Sequence, residues 1–261
     1  MIETAGRPTS RVRIGALWID ALTFDEALDE IERLVRQRRG GSVFTPNVDH
    51  IVNVERDLEL RSAYESVDLS VADGQPVVWA SHLLGTPVPE KISGSDLVPR
   101  LLARARERRF RVYILGGAEG VAALVSARLS AEGIEVAGAE GPSVGLQATE
   151  DEAALVARVH AARADLVLVG LGSPKQERFI HRTRRALAPA VLLAIGATLD
   201  FLAGTVKRSP RWMSNAGLEW MHRLASDPRR LARRYLLNDP LFALVVWRML
   251  RTPREARLKL R

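Results

Sequence analysis

The chain has 261 residues, of which 47% are hydrophobic and 26% charged, an ordinary globular balance with the length for one large core. It contains no cysteine, which excludes disulfides and thiolate metal sites. The net charge of +7 is uneven: residues 207–261 carry fourteen Lys and Arg against four Asp and Glu, a surplus of +10, so the remainder sums to −3.

In chain order, the opening MIETAGRPTSRVR is polar and basic, without the apolar core of a signal peptide. RIGALWIDAL at 13–22 reads as one extended segment. Thr23 then caps a helix, because T-F-D-E puts Glu26 at the reciprocal capping position. SVFTPN is a short strand ending at Pro46. VERDLELRSAYES is helical, DLSVADG is strand then turn, and QPVVWASHLLG and SDLVPRLLARARERR are helices. FRVYILGG is a buried strand followed by the helix AEGVAALVSARLSAEG. GIEVAG, ATEDEAALVARVHAAR, DLVLVGLG, KQERFIHRTRRAL and AVLLAIGA continue the alternation. Strands separated by helices of this length imply parallel pairing in a doubly wound, Rossmann-like α/β layer. From about Lys207 the pattern becomes helical only, dividing the chain into an α/β unit, 1–206, and a basic helical appendage, 207–261. The best late apolar run, LFALVVW, is too short to span a bilayer.

In such sheets ligands bind beyond the carboxyl ends of the strands. Four strand ends here carry unusual residues: Thr45-Pro46-Asn47, Asp73-Gly74-Gln75, Gly116-Gly117, and Gly172-Ser173-Pro174-Lys175-Gln176. Each alone is a common turn sequence; their joint placement points to a site. ILGGAEG suits a phosphate at a helix N-terminus but lacks the full dinucleotide fingerprint, which disfavours a nicotinamide-dependent oxidoreductase. G-x-x-x-x-G-K-[ST] and G-x-S-x-G are absent, and with them the case for a P-loop NTPase or a serine hydrolase. The five histidines form no ligand pair and no D-x-D occurs, so no metal site is signalled.

The stretches TPNVDHI, VADGQPVVWAS, GSDLVPRLL, VYILGGAEGVA, VGLGSPKQERFI, AIGATLDFLAGTVKRSPRWM and GLEWMHRLASDPRRLARRY occur in this order between residues 45 and 235. Together they resemble the WecG/TagA/CpsF glycosyltransferase family. The resemblance implies inverting, metal-independent transfer of a sugar from a UDP-sugar to a saccharide on a polyprenyl diphosphate, without a cofactor, in cell-surface polysaccharide synthesis. N-acetylmannosamine or its uronic acid is the implied sugar, another hexose the alternative. It implies Asp73 as general base, with Thr45, Asn47, Lys91, Gly116, Gly117, Gln176 and Asp200 binding substrate. At position 91 the family often has arginine; lysine keeps the charge and loses the bidentate fork. Arg208, Arg211 and Arg223 are candidates to stabilise the departing diphosphate. The tail is implied to close over the site and meet the anionic inner face of the cytoplasmic membrane, its arginines joined by Trp212, Trp220 and Trp247. Self-association is also implied, although no heptad pattern accompanies it. The alternative from another class is a nucleic-acid-binding α/β protein, motivated by a pI near 10.4 but lacking any reader motif.

Overall fold

The structure, a computed structural model, describes residues 10–141, 149–206, 209–210, 212–213, 217–226 and 228–260. The first extended segment is a hairpin, not one strand: β1 (Ser10–Ile14) turns back as antiparallel β2 (Leu17–Asp20). Gly15, at φ +62°, supplies the left-handed backbone that this tight turn needs. The α1 helix (Phe24–Gln37) starts as the sequence predicts. The Glu26 N–H donates to the Thr23 hydroxyl, and the Glu26 carboxylate accepts from the Thr23 N–H at 2.8 Å.

β3 (Gly41–Phe44) leads into α2 (Val48–Val54), α3 (Leu58–Glu65), β4 (Leu69–Ser70), α4 (Gln75–Leu83) and α5 (Gly94–Arg108). The single helix expected near 54–66 is broken because the Asp57 carboxylate accepts from the Leu60 N–H at 3.0 Å and starts α3 afresh. Next come β5 (Val112–Gly116), α6 (Val121–Ala131), β6 (Val136–Glu140), α7 (Thr149–Ala161), β7 (Leu166–Gly170), α8 (Lys175–Thr183), β8 (Val191–Ala194) and α9 (Thr198–Ala203).

β3 to β8 form one six-stranded sheet in the order β4-β3-β8-β7-β5-β6, with every pairing parallel. This is the doubly wound α/β fold that the alternation implies. Helices cover both faces, which explains why the central strands read as unbroken apolar runs. Val167, Val169 and Leu192 pack on one side with the hairpin, α2, α3 and α8; Leu166, Leu168 and Leu193 pack on the other with α1, α5, α6 and α9. The chain leaves β3 toward β4 at one edge and returns to the other side of β3 as β8. Residues far apart in sequence thereby come to lie side by side at the strand ends.

The tail contributes α10 (Glu219–Ser226), α11 (Pro228–Arg233), a π-helical turn (Arg234–Asn238) and α12 (Leu241–Leu250). It is not helical throughout: Leu258–Leu260 forms β9, which pairs antiparallel with β1. L-K-L has the alternation of a strand, but three residues leave too short a period to stand out in a sequence. Val245, Val246 and Met249 of α12 are buried in the same core as β1 and α2. No helix among the described residues is long and apolar enough to cross a membrane.

Candidate active site

Beyond the carboxyl ends of β3, β4, β7 and β8 lies a cavity of about 510 Å³. Thr45 and Asn47 reach it from the end of β3, Asp73 from the end of β4, Gln176 from the first turn of α8 after β7, and Gly196 and Asp200 from the segment after β8. Gly94 and Ser95, the first residues of α5, line it too, as do Gly172 and Ser173 just before α8. Neither helix has a side-chain cap. The dipoles of the two helices make this end of the cavity favourable for an anion.

A second cavity of about 280 Å³ adjoins the first under the tail. It is walled by Pro76, Trp220, Tyr235, Pro240 and Phe242, and Lys91 lines it. The Trp220 and Tyr235 rings are 5.9 Å apart, and the Arg234 guanidinium lies 5.3 Å from the Tyr235 ring centre. Four residues line both cavities: Asn47, Asp73, Glu219 and Arg234. Asp73 thus stands where the two cavities adjoin.

Behind this junction runs a polar network that sequence reasoning missed. Asn47 is the cap of α2, and its Oδ1 accepts from the Asp49 N–H at 3.1 Å. His50 Nδ1 lies 2.8 Å from the same oxygen, and Arg234 donates to it from the tail at 3.1 Å. On its other side His50 Nε2 is 3.5 Å from Glu177 Oε1, which also accepts from the Gln176 amide at 2.8 Å. The Gln176 carbonyl accepts from the Gly196 N–H at 2.9 Å. Glu177 is only 1% exposed. Burial alone would raise its pKa, but the contacts with His50 and the Gln176 amide hold it below the ordinary carboxylate value. Asp239 faces the second cavity, where burial raises its pKa to about 6 against the opposing pull of Arg234. Among the described residues no group of three His, Asp or Glu side chains is placed to hold a metal ion.

The sequence model described as the Glycosyl transferase WecG/TagA/CpsF family matches residues 12–256. The chain belongs to this family. It is also 32% identical, over 212 residues covering 80% of each chain, to the N-acetylglucosaminyldiphosphoundecaprenol N-acetyl-beta-D-mannosaminyltransferase of Bacillus spizizenii strain W23. The protein is thus a glycosyltransferase, and membership decides against the nucleic-acid-binding and oxidoreductase readings.

Of the residues singled out in the sequence of this glycosyltransferase, Thr45, Asn47, Asp73, Gln176 and Asp200 line the larger cavity, and Lys91 lines the smaller. Gly116 and Gly117 line neither, and packing accounts for both. A Cβ on Gly116 would come within 2.5 Å of the Gly170 carbonyl oxygen, and one on Gly117 within 2.6 Å of Val121. Gln176 does not present a free amide carbonyl, because that oxygen is bonded to Gly196. Arg208 and Arg211, and the Arg223 side chain, lie outside the described residues. The site also includes residues outside the sequence candidates: His50, Glu177, Glu219, Arg234 and Asp239. Two of these carried a signal: His50, three residues after Asn47 in VDHI, and Glu177, an acid next to Gln176 at the start of a helix.

Proposed function

We propose that this glycosyltransferase moves N-acetylmannosamine from a UDP-sugar to N-acetylglucosamine carried on a polyprenyl diphosphate, by a single inverting displacement that needs no metal. The Bacillus relative is named for moving an N-acetylmannosaminyl group to N-acetylglucosaminyl diphosphoundecaprenol. The observation that carries the reading is the pair of cavities meeting at Asp73. The larger takes the nucleotide sugar, with its diphosphate toward the N-terminal ends of α5 and α8. The smaller takes the acceptor saccharide against Trp220 and Tyr235, with Lys91 toward the lipid diphosphate. Asp73 accepts the proton of the attacking hydroxyl as its oxygen bonds to the anomeric carbon. The bond from that carbon to the diphosphate breaks, and UDP departs with the electron pair. Tail arginines, among them Arg208, Arg211 and Arg223, supply the positive charge that a metal would otherwise give.

The tail acts in this reading as a lid and as the face turned to the membrane. Leu236, Leu237, Leu244 and Trp247 are exposed, and the Arg251 guanidinium stacks 3.7 Å from the Trp247 ring. Exposed apolar side chains interleaved with arginine suit the headgroup region of an anionic bilayer. The acceptor lipid sits in that layer, so docking there would bring enzyme and acceptor together at the cytoplasmic face.

Calorimetric titration with UDP tests the donor half. Binding is expected with and without EDTA, and Gln176→Ala is expected to weaken it by about tenfold, the scale of one lost hydrogen bond to a charged ligand. Binding abolished by EDTA would contradict the metal-independent reading. No binding with or without anionic vesicles would contradict the donor assignment.

A further inference from the structure

Among the described α-helices, α4 alone contains no Asp, Glu, Lys or Arg. Its inner face buries Val77, Val78 and Ala80 in the core, so its outward face would ordinarily be polar. That outward face instead presents Trp79, 53% exposed, and Leu83, 64% exposed. Gln75, Trp79 and Leu83 recur every fourth residue and so share one side of the helix. Gln75 and Pro76 line the smaller cavity, which puts the start of this side at the cavity wall. Trp79 follows about 6 Å along the axis and Leu83 about 12 Å.

The tail meets the same side of α4. Gly217 lines the smaller cavity, and a Cβ on it would stand 2.9 Å from the Trp79 ring and 3.6 Å from the Gln75 Cβ. The Trp79 ring therefore lies against the backbone of the cavity wall, and the exposed strip is continuous with the cavity. Size and charge constrain what covers it. Two large side chains fall far short of the about 800 Å² per partner buried in a stable protein interface. Anionic bilayers are held by apolar groups interleaved with cations, as where Arg251 stacks on Trp247 in the tail, and α4 has no Lys or Arg. A single hydrocarbon chain needs neither the area nor the charge.

We propose that the side of α4 from Trp79 to Leu83 is a track for the first isoprene units of the acceptor lipid as they leave the smaller cavity. This deepens the reading of that cavity as the acceptor site and rests on it. With the saccharide against Trp220 and Tyr235 and the diphosphate toward Lys91, the hydrocarbon leaves across the cavity rim, and Trp79 is the apolar group there. The track acts through apolar area removed from water. It selects by prenyl chain length and takes no part in the chemistry.

Steady-state kinetics tests the track with N-acetylglucosamine diphosphate esters of one, two and three isoprene units, kept monomeric without detergent or vesicles. In wild type the acceptor KM is expected to fall about tenfold or more from the shortest to the longest, the scale of a few buried methylene groups. Trp79→Ser is expected to remove most of that gain, and Leu83→Ser the part that the third unit adds. The donor KM, read in the same runs, controls for general damage. Both side chains are exposed, so both variants should fold, and thermal melts check it. A length dependence absent from wild type, or kept in full by both folded variants, overturns the proposal. So does one that appears only with anionic vesicles, which would assign this face to the membrane. If wild type binds UDP and transfers to none of these esters, the acceptor reading fails, and farnesyl diphosphate alone decides the track. Its binding is expected to shift the tryptophan fluorescence of wild type to the blue and to leave Trp79→Phe unshifted. No shift in wild type, or an equal shift in Trp79→Phe, overturns the track as well.

Discussion

Asp73→Asn is expected to lower kcat by about 10²- to 10⁴-fold, the usual worth of a positioned general base. The substitution keeps the shape of the side chain and the backbone hydrogen bond from its N–H to the Pro46 carbonyl at 2.9 Å. UDP affinity should therefore stay within about threefold, since what is lost is proton transfer, not uniform binding. The comparison that gives this weight is with Asp239, which faces the acceptor-side cavity with a pKa near 6 and is the other carboxylate suited by basicity to the task. Asp73 faces both cavities and Asp239 only the smaller, so Asp239→Asn should chiefly affect acceptor use. Rates from both variants decide between them. A nearly active Asp73→Asn beside an inactive Asp239→Asn would move the base to the tail.

Gly116→Ala is expected to destabilise the fold by about 3 kcal/mol or more, measured as a shift in the denaturant midpoint. Gly116 has φ +106°, a backbone that L side chains rarely adopt. It is also register-paired with Gly170 of β7, and its Cβ would stand 2.5 Å from the Gly170 carbonyl oxygen and 2.7 Å from the carbonyl carbon. Neighbouring backbone in a central parallel strand cannot yield as a flexible side chain can. Since Gly116 lines neither cavity, UDP should still bind the remaining folded protein with near wild-type affinity. Unchanged stability with lost UDP binding would instead restore the glycine turn as a phosphate cradle.

The parallel sheet was legible because its central strands β5, β7 and β8 are apolar runs and helices alternate with them. Thr45, Asn47, Asp73 and Gln176 could be gathered at one edge from topology alone, because every one follows a strand of the same parallel layer. Gly116 and Gly117 follow β5 of the same layer but line neither cavity; β5 lies on the far side of β7 from β8 and β3, and both glycines are closely packed, against Gly170 and Val121. Strand order is a long-range property that alternation does not encode. The hairpin at Gly15 and the break at Asp57 each turn on one residue, a left-handed glycine and a local helix cap, inside stretches whose apolar pattern otherwise reads as continuous. His50 shows the limit most sharply. As a lone histidine in VDHI it reads as surface or locally bonded, and only the approach of α8 from far along the chain puts Glu177 beside it. Arg234 was one arginine among many in the tail, and nothing local distinguished the one that reaches Asn47.

In the proposed reaction, donor and acceptor meet at Asp73 for a direct, metal-free transfer. The measurement that tests it most directly follows label from UDP-N-acetylmannosamine into N-acetylglucosamine on a short prenyl diphosphate, in EDTA, with the anomeric configuration of the product read by NMR. Transfer is expected in wild type, retained in the chelator, inverted at the anomeric carbon and lost in Asp73→Asn. A product of retained configuration, or transfer that stops on chelation and returns with a divalent cation, would contradict it.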